Sequence, residues 1–185
     1  MQPDGASSAA SETAPPLRAI VHASLFAALT AVGAYVAIPI GPVPFVLQNL
    51  FVFLAGLLLG ARWGAVSVGL YLLAGVCGLP VFAGGTGGIG RFAGPTGGFL
   101  VGYLPAVALI GWMARPRAGG IGRDVAAMLL GMSALYACGV PWLAVVTGLP
   151  IEKALAGMLP FLPGDAVKIV AAAAIARSLR PLMRA

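Results

Sequence analysis

Between Arg18 and Arg62 the chain carries no Asp, Glu, Lys or Arg. An apolar stretch of that length accommodates two membrane crossings of about 20 residues each. The segment Ile38-Pro39-Ile40-Gly41-Pro42-Val43-Pro44 divides it, because proline cannot continue a helix. The pattern therefore predicts helices over 19–38 and 45–61. A third is expected from Trp63 to Gly78, stopping ahead of Leu79-Pro80. A fourth follows a glycine-rich loop and covers 97–114; a fifth follows the basic hairpin Arg115–Arg123 and covers 124–147. A loop from Gly148 to Pro163 leads to a sixth, ending near Arg180. The fold class is all-α integral membrane: one six-helix domain over 18–185, behind a polar leader over 1–17 with the composition of a disordered segment.

Composition narrows the classes. The 185 residues are 60% apolar and 9% charged, against about 45–50% and about 25% in ordinary soluble domains. So few charges exclude soluble enzymes, disulfide scaffolds and disordered chains. The 27 glycines and 15 prolines are tolerated where neighbouring helices satisfy the backbone. A net charge of +6 raises nucleic acid as a partner. The basic residues are scattered singly, however, with no basic stripe carrying interleaved aromatics. Cys77 and Cys138 lie in apolar runs and read as buried reduced thiols, while the single His22 rules out a histidine-cluster metal site. No cofactor is expected. The leader lacks the basic start of a signal peptide, so the first helix is expected to stay.

The charges also set the topology. Arg18, Arg62, Arg115, Arg117, Arg123, Arg177, Arg180 and Arg184 fall on the side of the termini, and only Arg91, Lys153 and Lys168 toward the other. By the positive-inside rule both termini are cytoplasmic, in a multi-pass cell membrane protein surrounded by lipid.

Charges outside those loops are the candidate chemistry. Asp165 and Lys168, at i and i+3 in the sixth helix, lie at membrane depth on one face and can pair. Asp165 also follows Pro163-Gly164, so one reading makes it a helix cap neutralised by Lys168. The other makes the pair part of a substrate path, as intramembrane ion pairs usually are. Arg91 stands in a loop with eight glycines between Gly84 and Gly98. It suits a carboxylate through bidentate hydrogen bonds, or else meets lipid phosphate. Gln48 and Asn49 either bond between helices or reach a ligand, and Tyr136 and Trp142 line a pocket or join an interfacial aromatic belt. Glu152 and Lys153 read as a solvated pair. Ala23, Ala27 and Ala31 repeat at four-residue spacing, which lets a partner helix approach.

Four ordered segments go further: Pro42-Val43-Pro44-Phe45-Val46-Leu47-Gln48, Gly78-Leu79-Pro80-Val81-Phe82-Ala83-Gly84-Gly85, Gly94-Pro95-Thr96-Gly97-Gly98-Phe99, and Pro160-Phe161-Leu162-Pro163-Gly164-Asp165 with Lys168. Together, over residues 20–180, the chain resembles the BioY biotin transporters, the S components of energy-coupling factor (ECF) transporters. Val46 stands where that family commonly has Thr, and Phe99 where Tyr is frequent. The resemblance implies a six-helix S-component fold with biotin bound near the outer face. It also implies coupling to a T-type transmembrane subunit and ABC ATPases, with docking through the small residues of the first helix. Biotin's chemistry agrees with the residues. Asp165 can accept from the ureido N–H groups, Lys168 or Gln48 can donate to the ureido carbonyl, and Arg91 can take the carboxylate. Phe45, Tyr136 or Trp142 can hold the apolar remainder. With no P-loop and no nucleophile–base set, no enzymatic activity is expected. Energy must come from partner ATPases or, alternatively, from a gradient in a stand-alone carrier; homo-oligomers are compatible with either.

Overall fold

The computed structural model describes residues 17–40, 42–114 and 120–184. The leader up to residue 16, and Arg115 and Arg117, lie outside them. In order the elements are α1 (Leu17–Tyr35), β1 (Ala37–Ile40), β2 (Val43–Val46), α2 (Gln48–Val76), α3 (Gly90–Ala93), α4 (Gly97–Ala114), α5 (Ile121–Thr147), α6 (Ile151–Ala156), a 3-10 turn at Leu159–Phe161, and α7 (Leu162–Arg184).

Among the described residues five helical stretches are long and apolar enough to cross a membrane. One of them, α2, is itself two spans. At Gly60 the backbone takes φ 78° and ψ −178°, a conformation essentially confined to glycine, and the chain doubles back. Two contacts fix the reversal. Tyr71 Oη donates to Gln48 Oε1 at 3.3 Å, although 23 residues of straight helix would separate them by about 35 Å. Gly64 likewise faces the carbonyl of Ala55. The second and third helices are therefore an antiparallel pair, reversing at Gly60 rather than at the expected Arg62. The six-span fold follows.

α4 packs between α2 and α5, while α1 and α7 lie against α2. Successive spans alternate in direction, which gives the bundle two ends. The Gly60 turn, Arg18, Arg62, Arg123, Arg177 and Arg180 gather at the end of the termini. The residues joining α1 to α2, the 77–96 loop, α6 and the 3-10 turn gather at the other, here termed the cavity end.

Three expectations change. The proline-rich segment is not an open loop: β1 and β2 form an antiparallel hairpin with Ile38 opposite Phe45 and Pro39 opposite Pro44. Neither proline has an N–H, so their pair occupies a site where the ladder needs none. The bundle is thus helical apart from one small sheet. The 148–163 loop contains α6 and the 3-10 turn. Cys77 is exposed at the C-terminal cap of α2, where the helix runs out of packing partners, and Cys138 is only half-buried.

Candidate functional site

The cavity end encloses a cleft of about 630 Å³ of atom-free space, part of it open to solvent. Its walls are mostly apolar: Val43 and Phe45 from β2, Phe99 and Leu100 from α4, Leu135 from α5, with Phe82, Met158 and Phe161 from the loops. Into it project Gln48, Asn49, Arg91, Thr96, Tyr103, Tyr136, Asp165 and Lys168.

Asp165 sits in the first turn of α7, where free backbone N–H groups favour a carboxylate. It is 2% exposed and Lys168 5%, so each charge needs a partner. Lys168 Nζ donates to Asp165 Oδ1 at 2.9 Å, and Tyr136 Oη, from α5, donates to Oδ2 at 2.6 Å. The ammonium also lies 3.7 Å from the centre of the Phe45 ring, a cation–π contact. Phe45 can approach because residue 164 is glycine; a Cβ there would strike the ring. A carboxylate offers about four acceptor sites and an ammonium three donors. The triad therefore balances charge while keeping hydrogen-bond capacity uncommitted.

Beside it runs a chain of neutral bonds. Tyr71 Oη donates to Gln48 Oε1, Gln48 Nε2 to Tyr103 Oη at 2.6 Å, and Tyr103 Oη to Asn49 Oδ1 at 2.6 Å. The chain fixes the start of α2 against α4. It engages the Asn49 oxygen and leaves that amide's N–H groups available at the cavity wall.

Arg91 rises from the one-turn α3. Its Nη2 reaches the carbonyl of Ala83 at 3.4 Å, and its buried Nε has no partner. An orphaned buried donor costs about 1–3 kcal/mol, and an anionic ligand group would remove that penalty.

Six predicted site residues thus meet on one cavity: Phe45, Gln48, Arg91, Tyr136, Asp165 and Lys168. Trp142 does not line it. That residue is 40% exposed, and its indole N–H donates to the carbonyl of Gly94 at 2.9 Å, because the ring lies under the 94–98 turn. The stripe Ala23, Ala27, Ala31 is not an outward docking face either. Ala23 is fully buried and the other two pack half-buried on the chain's own core, since α2 already occupies that side. The outward side of α1 presents Ser24 and Ala28, flanked by Val21, Leu25 and Val32.

Tyr103 and Asn49 complete the wall in ways the sequence reading missed or left open. A tyrosine deep in an apolar helix must find a partner for its hydroxyl, and that was the available signal for Tyr103 and Tyr71. Also missed was a second buried ion pair: Arg180 Nη1 and Nη2 donate to Asp124 Oδ2 and Oδ1 at 2.6 and 2.7 Å. Among the described residues no group of three or more His, Cys, Asp or Glu is placed to hold a metal.

Comparison with known proteins agrees with this architecture. The BioY family model matches residues 6–185. A biotin transporter BioY of Thermotoga maritima is 41% identical over 167 residues, covering 90% of this chain and 98% of that protein. One from Rhizobium etli is 42% identical over 173 residues, covering 88% and 92%. Among solved structures, the S component for biotin from an ECF-type ABC transporter superposes with a TM-score of 0.85 at 32% identity, over 89% of this chain and 92% of that one.

Proposed function

The chain belongs to the BioY family, and on that premise we propose that it is a biotin-binding S component that captures the vitamin in the cavity for uptake. One observation carries the residue assignment. A buried carboxylate–ammonium–phenol triad and an arginine with an orphaned donor border the same apolar cleft. Biotin has a matching layout. Asp165 accepts from the ureido N–H groups, while Lys168, Gln48 and Asn49 supply donors for the ureido carbonyl. Phe45, Tyr136 and Phe161 cover the thiophane ring, and Arg91 takes the valerate carboxylate. Charge-assisted hydrogen bonds contribute about 1.5–3 kcal/mol each. Three of them with apolar burial support affinities near the nanomolar level, about −12 kcal/mol.

Transport requires energy from outside this chain. The likeness to an ECF S component supports a T-type transmembrane subunit with ABC ATPases as that source. The outward side of α1 is a docking face for it, with Ser24 and Ala28 permitting close helix approach. Arg18, Arg62, Arg123, Arg177 and Arg180 at one end support a cytoplasmic position for both termini and an outward-facing cavity.

The assignment is tested by calorimetric titration of purified protein with biotin and biotin methyl ester. Arg91→Ala weakens binding of the acid and leaves that of the ester unchanged; Asp165→Asn and Lys168→Ala weaken both. Equal binding by all variants would refute it.

A further inference from the structure

Arg91 belongs to a helix of four residues, too short to be stable by itself, so its direction is set by what grips the turn. At the front, Gly88 N–H donates to the carbonyl of Gly75 at 2.7 Å, and Arg91 N–H to Gly88 at 3.2 Å. In the middle, the Phe92 ring meets Phe82 edge-on at 5.9 Å. Both grips tie the turn to α2 and its following loop. At the back, Gly94 N–H donates to the carbonyl of Arg91 at 3.3 Å, and the Gly94 carbonyl accepts from Gly97 N–H at 3.0 Å and from the Trp142 indole at 2.9 Å. Gly97 and Gly98 leave no room for a Cβ beside the indole, so α4 and the turn are seated directly on Trp142. Two hydrogen bonds in series thus join α5 to the Arg91 backbone. The same helix carries Tyr136, which holds Asp165, about 9 Å away along the axis.

We propose that Trp142 is a positioning residue for Arg91: its indole N–H, acting through the Gly94 carbonyl, aims the guanidinium into the cavity and so governs affinity for the ligand's carboxylate end but not its ring end. The inference rests on the assignment of that carboxylate to Arg91. α5 then acts as a spacer between the group that holds the ring and the group that holds the acid.

The test is a double-mutant cycle on the full-length protein in detergent, with biotin and its methyl ester titrated into wild type, Trp142→Phe, Arg91→Ala and the double variant. Trp142→Phe lowers biotin affinity about five- to tenfold, leaves ester affinity within about twofold of wild type, and adds nothing in the Arg91→Ala background. Ester binding also reports that each variant is folded. Equal losses for acid and ester would show a general structural role and overturn the proposal, as would no loss at all. If Arg91→Ala alone fails to separate acid from ester, the carboxylate assignment falls first and takes this inference with it.

Discussion

Among the described residues two buried ion pairs stand where α5 meets α7, one at each end of the bundle, and they are built differently. At the end of the termini, Arg180 meets Asp124 fork to fork, engaging both carboxylate oxygens at 2.6 and 2.7 Å. At the cavity end, Asp165 divides its oxygens between Lys168 on its own helix and Tyr136 on α5. Each pair borders a cleft, so concavity does not separate them. The cation and its placement do. The guanidinium fork is a rigid, bidentate match that fixes one helix on another. The ammonium is a point charge with rotatable donors, and it leaves both itself and the carboxylate able to bond a guest. The first pair is built as a strut between two helices, and the second as a pair whose cation can turn toward a guest.

The largest expected effect is on ligand affinity at the Asp165–Lys168 pair. Asp165→Asn lowers biotin affinity about 100-fold, from loss of a charge-assisted acceptor, as read by calorimetry. Asp124→Asn instead takes from the Arg180 guanidinium the carboxylate it grips at two oxygens. It costs about 3–5 kcal/mol of stability, seen as a lowered thermal midpoint, while the folded fraction binds biotin as wild type does. A comparable affinity loss in both variants would erase the distinction. Replacing the strut as a unit, Asp124→Leu with Arg180→Met, sharpens it. Removing both charges together is close to neutral for stability, whereas Asp165→Leu with Lys168→Met abolishes binding.

Smaller effects grade the neighbours of the triad. Tyr136→Phe removes one neutral donor to a carboxylate and weakens biotin binding about tenfold, measured by the same titration. Tyr71→Phe deletes the longest bond of the Gln48 chain, at 3.3 Å. It lowers stability by about 0.6 kcal/mol, the mean for hydrogen bonds between membrane helices, which chemical unfolding in mixed micelles resolves.

The contrast also explains what could be read before folding. Arg91, Asp165 and Lys168 were legible because a charge outside the basic loops is rare in a chain with sixteen charged residues (11 basic and 5 acidic). Asp124 and Arg180 stood among expected loop charges 56 residues apart, and nothing in their spacing announces a pair. The six spans were legible from apolar runs, but the reversal inside α2 was placed at the charge, Arg62. The backbone turns instead at the glycine able to adopt its φ, Gly60. Prolines hid the β-hairpin, since their missing N–H groups are harmless only in one register. Helix 1 has small residues on more than one face, so spacing chose Ala23, Ala27 and Ala31 while packing turned that stripe inward. Trp142 acts on a backbone carbonyl, an interaction that leaves no partner side chain to find in the sequence.

In the proposed complex the Asp165–Lys168–Tyr136 triad holds the ring end of biotin and Arg91 its acid end. The decisive experiment is a structure determined with biotin bound. A ureido nitrogen is expected at hydrogen-bond distance, about 2.7–3.2 Å, from an Asp165 oxygen, with the valerate carboxylate on the Arg91 guanidinium. Biotin seated in the reverse direction, or at the Asp124–Arg180 cleft, would contradict that placement.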